Sequence, residues 1–215
     1  MEKPVIRSEC VKPMLETKFI KVYDLQYAEG KHYYDATRRS AADLVAVKSD
    51  AEAKAMLPDA VSCFVVLRNG GGERLLLTYE YRYPIGRFLL SPPAGLIDPE
   101  DRDGPEPLLT AAKREIFEET GLVVKDTDEM TVVNPCVFSS PGMTDESNAL
   151  VAAVLTDADT AGLTSAGAVG TECFEGFRLV TRAEAEEILR TGRDEHGMTY
   201  SVYTQLALTW FTGRK

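Results

Sequence analysis

An α/β protein built in two parts is the fold class this 215-residue sequence predicts. Three observations lead there. Runs rich in β-branched and aromatic residues flank glycine turns at 28–30 and 69–72, the pattern of antiparallel hairpins. Later segments repeat apolar residues at helical intervals. The chain also changes character near Pro58, dividing residues 1–57 from a larger part, residues 58–215.

Taken in order, Phe19 to Gln26 and Lys31 to Arg38 read as two strands around Ala28-Glu29-Gly30, and Ala51 to Leu57 as a short helix. Val61 to Arg68 and Leu75 to Tyr81 make a hairpin closed by Asn69-Gly70-Gly71-Gly72. Arg87 to Ser91 then leads into a tight glycine turn, Pro93 to Asp98. A helix follows, with Pro107 in its first turn, where a missing amide hydrogen costs least, and Gly121 as its left-handed stop. Leu122 to Val124, Met130 to Phe138, Ala149 to Leu155 and Phe174 to Val180 read as strands. Ala183 to Arg190 and Tyr200 to Phe211 read as helices, the second through Val202, Leu206 and Trp210.

Composition narrows the functions open to this chain. A net charge of −10 argues against nonspecific binding to nucleic acid or anionic membranes, which needs a basic surface. Cys10, Cys63, Cys136 and Cys173 show no zinc-ligand spacing and read as buried thiols. His32 and His196 form no nucleophilic arrangement with a serine or cysteine. No apolar run has the length of a membrane span, and the amino terminus, with Glu2, Lys3 and Arg7, has no signal-peptide core. The cytoplasm is the expected compartment.

The chemistry concentrates in the helix before Gly121. Glu115, Glu118 and Glu119 stand at i, i+3 and i+4 and share one face, while Leu109, Ala112 and Ile116 form an apolar stripe toward a core. Clustered like charges repel, so the expected use is a hard divalent cation that leaves sites for water and phosphate oxygens. An ordinary Arg114–Glu118 ion pair on a solvated helix is the competing explanation. An EF-hand loop starting at Pro99 fails, because Pro99 and Thr110 stand where Asp and Glu are required.

Arg114-Glu115-Ile116-Phe117-Glu118-Glu119-Thr120-Gly121-Leu122, with Glu106 eight residues before Arg114 and Gly95 upstream, resembles the Nudix box. Its glycine normally precedes the first glutamate by six positions. Gly95 precedes Glu106 by eleven, which places a five-residue insertion within Pro99 to Pro105. The resemblance implies a Nudix α/β/α sandwich with an N-terminal antiparallel β-sheet subdomain, in which Arg114 pairs with Glu106 or another acid off the metal face and Glu106 helps hold the loop.

Three further stretches look like those of ADP-ribose pyrophosphatases. They are Tyr79 to Gly86 followed by Ser91 to Asp98, Tyr34-Asp35-Ala36-Thr37-Arg38-Arg39, and the Ser-Pro-Gly loop Ser140 to Glu146. That subfamily implies hydrolysis of the diphosphate of ADP-ribose to AMP and ribose 5-phosphate, with another nucleoside diphosphate sugar as the alternative substrate. It also implies Mg2+, with Mn2+ as a substitute, held by Glu115, Glu118, Glu119 and the carbonyl of Ala94. Tyr34 would stack on adenine, and Arg39 and Arg82 would contact phosphate or ribose. Glu172 is the closest match to the general base, ahead of Glu175 and Glu146. A homodimer formed through the amino-terminal sheet is expected, and a nucleotide sensor without turnover is the rival.

Overall fold

The computed structural model describes residues 4–214; Glu2 and Lys3 lie outside them. The chain divides into two compact units. The smaller joins the segment up to Asp59 to Cys136–Asn148, and the larger holds the remainder.

In the smaller unit, β1 (Val11–Glu16), β2 (Lys21–Ala28) and β3 (Lys31–Thr37) form an antiparallel sheet in that order. The β2–β3 hairpin turns at Gly30, whose φ of 63° suits a residue without Cβ. β1 was not expected. It is an edge strand with one buried residue, and Pro13 can sit in it because an edge position leaves its missing donor unneeded. Tyr23 and Leu25 alternate onto the face that packs with Val11 and Leu44. Helix α1 (Asp50–Ala55) starts from a capping box between Ser49 and Glu52.

The larger unit is a layered sandwich. β4 (Ala60–Asn69), β5 (Gly72–Arg82), β6 (Arg87–Ser91), β7 (Ala94–Leu96), β8 (Glu129–Phe138), β9 (Ser147–Thr156) and β10 (Phe174–Val180) form one sheet, whose main path runs β10-β5-β4-β9-β8. β8 and β9 run on into the smaller unit at their Phe138 and Ser147 ends. Strands covered on both faces read as continuous apolar runs, as β4 and β9 do. One face packs on α2 (Pro107–Thr120), through Val61, Cys63, Val65 and Leu67 against Ala111, Ala112 and Ile116. α3 (Arg182–Thr191) and α4 (Val202–Gly213) meet β4, β5 and β6, with Phe64 beside Trp210 and the Thr204 hydroxyl donating to Leu90 O at 2.6 Å.

Two expectations need correction. Ala94–Leu96 is not a glycine turn but a strand paired with Ala60–Ser62, and Gly95 is not among the glycines with positive φ. Leu122 to Val124 form no strand. Leu122 and Val124 instead plug into the core beneath α2, so their hydrophobicity marks burial rather than a ladder. Among the described residues none of the four cysteines forms a disulfide, only Cys63 is fully buried, and Cys173 is exposed. No helix among them is long and apolar enough to cross a membrane.

Candidate active site

Pro107 opens α2 and Gly121, at φ 72°, closes it, so the face carrying Glu115, Glu118 and Glu119 is rigid. The acids do not all point away from the core. Glu115 and Glu119 are 5% and 2% exposed, and only Glu118 is half-buried. Burying carboxylates is costly unless something compensates them.

β7 supplies part of that compensation. The Ala94 amide donates to Glu119 Oε2 at 3.3 Å. At Gly95 the missing Cβ leaves room for the Glu115 carboxylate, which a side chain there would push aside. Ala94 and Gly95 are therefore brought against the glutamates that the sequence pairs them with.

Arg114 does not point off this face, and of the two expected kinds of partner, Glu106 or another acid, the loop acid it pairs with is Asp101. Its Nη1 donates to Glu115 Oε1 at 2.8 Å and to Glu118 Oε2 at 3.0 Å. Its Nη2 reaches Leu96 O and Asp101 Oδ2, both at 2.8 Å. Glu106 is exposed at the start of α2, with no side-chain cap bond. Asp101, buried and also accepting from the Asp98 amide at 3.0 Å, holds the loop instead. It lies six positions after Gly95, so the extra residues fall in the loop between Asp101 and the start of α2 at Pro107. Counting forward from Gly95 gives that register, with aspartate in the place of the box glutamate.

A further carboxylate escaped the sequence reading. Glu80 on β5 is 8% exposed, and Arg82 Nη2 lies 2.5 Å from its Oε2. An acid within an otherwise apolar strand is the signal that could have found it. Arg82, expected at substrate, is thus held to a site carboxylate. Glu172 lies in the loop before β10, where its Oε2 accepts from the Val169 amide at 2.8 Å.

Burial, then the charges of Glu80, Glu115 and Glu172, push the Glu119 carboxyl up to about 9. Burial also lifts Glu115 to about 7, against the favourable Arg114 guanidinium and with Glu118 and Glu172 adding repulsion. Burial likewise raises Glu80, with Glu172 adding to the shift and Arg82 opposing it. Negative charge here outruns its partners. Hard oxygen donors in that state suit a divalent cation by chemistry. Their side chains are turned to Arg114 and Ala94, and no three acidic, histidine or cysteine groups among the described residues converge as a finished ligand set.

Tyr34 and Arg39 belong to the smaller unit. Tyr34 is 55% exposed and, with Tyr33, lines a cavity of about 230 Å³ among Leu25, Val45, Phe138 and Met143. The Ser-Pro-Gly loop is tied there by the Tyr33 hydroxyl to Gly142 O at 2.8 Å and by the Ala36 amide to Met143 O at 3.0 Å. Arg39 is no solvated surface residue. Its guanidinium meets Asp59 at 2.7 Å, Asp145 at 3.5 Å and Asp43 at 3.6 Å.

Comparison with known proteins agrees with this architecture. The family model for the NUDIX domain matches residues 56–199. A nudix hydrolase of Caenorhabditis elegans is 38% identical over 93 residues, covering 43% of this chain and 38% of the relative. The ADP-ribose pyrophosphatase of Saccharomyces cerevisiae is 35% identical over 96 residues, covering 43% of this chain and 37% of the relative. The matched stretches thus span well under half of either relative. A crystal structure of an ADP compounds hydrolase aligns with a TM-score of 0.57 at 18% identity, over 99% of this chain and 96% of that one, which is a likeness of fold.

Proposed function

The chain belongs to the NUDIX domain family, and from that premise we propose that it hydrolyses the diphosphate of a nucleoside diphosphate sugar to a nucleoside monophosphate and a sugar phosphate, which for ADP-ribose, the first choice, are AMP and ribose 5-phosphate. The observation that carries this reading is the complete carboxylate face of α2 set against Ala94 and Gly95, with Glu80 and Glu172 adding to its charge. A sensor without turnover has no need to bury so much uncompensated acid.

Family members generally work with divalent cations, and Mg2+, or Mn2+ in its place, would sit among Glu115, Glu118, Glu119 and the Ala94 carbonyl. When bound, such ions neutralise the diphosphate and acidify water. The protein's own groups do the rest. Glu172 accepts a proton from the water that attacks one phosphorus as the bridging P–O bond breaks. Arg114 keeps the Glu115 and Glu118 carboxylates oriented, and Asp101 keeps Arg114 in place. Arg82 can exchange its bond with Glu80 for a substrate oxygen, a role suited to the guanidinium fork. Tyr34 offers its exposed ring to the base, as stacking requires. Arg39, on this reading, supports the strand that carries Tyr34 rather than contacting phosphate directly.

The same reading includes a homodimer through the amino-terminal sheet and a cytoplasmic setting. Exposed Met14, Leu15, Phe19 and Ile20 give that sheet an apolar surface to cover. The deciding experiment incubates the protein with a panel of nucleoside diphosphate sugars and Mg2+ in heavy-oxygen water. AMP release from ADP-ribose supports the proposal, and the labelled product names the attacked phosphorus. Saturable binding of ADP-ribose without AMP, in Mg2+ or Mn2+, favours the sensor.

A further inference from the structure

The stretch from Asp157 to Cys173, between β9 and β10, has little regular structure beyond a single 3-10 turn, yet it is fastened to the site from two sides. On the α2 side, the Thr164 amide donates to Thr120 O at 3.1 Å. At Gly167 a Cβ would stand 2.6 Å from Glu118 O and 2.9 Å from Glu118 Cα. Those are backbone atoms of the catalytic helix and cannot swing aside, so only hydrogen fits. On the sheet side, the Tyr83 hydroxyl donates to Thr171 O at 3.1 Å and the Tyr81 amide to Cys173 O at 2.8 Å. Glu172 lies between these last two anchors, and Val169 holds its carboxylate through the backbone amide.

We propose that Gly167 and Tyr83 are positioning residues for Glu172, acting by seating the loop flush on the last turn of α2 and pinning it to the end of β5. The inference rests on Glu172 acting in the proposed hydrolysis. Any side chain at 167 wedges the loop away from Glu118, and loss of the Tyr83 hydroxyl frees the carbonyl next to Glu172. A shift of about an ångström in a catalytic group is enough to cost roughly two orders of magnitude in rate.

The test is a double-mutant cycle on ADP-ribose hydrolysis. Gly167→Ala is expected to lower kcat by at least about tenfold with KM within about twofold. Tyr83→Phe, which keeps the ring and serves if Gly167→Ala folds poorly, should lower kcat several-fold. Gly70→Ala, in an open turn with nothing near its Cβ position, should change neither. In a Glu172→Gln background the Gly167 and Tyr83 substitutions should cause no further loss, because the group they position is gone. Hydrogen exchange gives a readout without substrate: the Thr164 and Val169 amides should be protected in the native protein and exchange faster in Gly167→Ala.

Equal losses in both backgrounds, or an unchanged kcat with unchanged exchange, overturn the inference. Full activity of Glu172→Gln beside an inactive Glu118→Gln also overturns it and leaves the hydrolase intact. Full activity of Glu118→Gln defeats the proposed site itself.

Discussion

A methyl group at residue 95 is the smallest change that tests the carboxylate cluster. The Cβ of Gly95→Ala would fall on the mobile end of Glu115, which can turn away by giving up its bond to Arg114. Stability should therefore change little, while kcat falls by roughly a hundredfold; a melting scan beside an AMP assay separates the two. Glu118→Gln removes one anionic oxygen donor and a like charge, so turnover should drop by orders of magnitude at nearly constant Tm. The pH dependence follows from Glu115 and Glu119, raised to about 7 and about 9 from an ordinary value near 4.5. The folded chain then binds protons more tightly than the unfolded chain. Stability is fully present below about pH 4.5 and is lost as pH rises through 7 and 9. Asp35, raised to about 6 by burial and by Asp145, acts in the same direction. Without divalent cations the protein should melt higher near pH 5.5 than near pH 8.5, Glu119→Gln should flatten the profile, and Mg2+ should recover stability at the alkaline end. A flat profile in the unmodified protein would sink the crowded-carboxylate account. That Glu115, Glu118 and Glu119 share a face was legible from their spacing, and the glycine segment upstream set that face apart from an ordinary ion-paired helix. Asp101 was not, because the insertion hid its register, and Glu80 was not, because tertiary burial rather than a local pattern makes it notable.

At the scale of the element, α2 depends on how it ends. Gly121 holds a left-handed φ, and a Cβ there would lie 2.7 Å from Thr164 Cγ2. Gly121→Ala should cost more than about 1 kcal/mol, through strain added to the loss of fit, measurable as a lower urea midpoint with an unchanged slope. Helices and hairpins were readable because their signals are local: proline and glycine bracket α2, and glycines turn β2 into β3 and β4 into β5. The misses share a different cause. β1 has neither alternation nor a buried face to betray it, Leu122 to Val124 mimic a strand by composition, and β7 is a strand only because β4 lies beside it.

Over the whole molecule, the first compact unit runs to Asp59 and regains Cys136–Asn148, a return for which the sequence carries no local signal. That return is held by charge. Arg39 sits among Asp43, Asp59 and Asp145, and Asp145 also accepts from the Thr37 hydroxyl at 2.6 Å and the Val45 amide at 3.0 Å. Arg39→Met would leave the half-buried Asp59 and Asp145 carboxylates without their cation, at a cost of about 1–3 kcal/mol. Tm should fall steeply, whereas a raised KM at constant Tm would restore Arg39 to the substrate. The interleaving bears on any attempt to cut the gene at the apparent border. A fragment begun at residue 60 would carry the 136–148 excursion without the backbone and side chains that receive it, among them Ala36, Tyr33 and Asp59. Modules of this kind cannot be traded one at a time; recombination that moves the unit bearing α2 into another lineage must bring its smaller companion along.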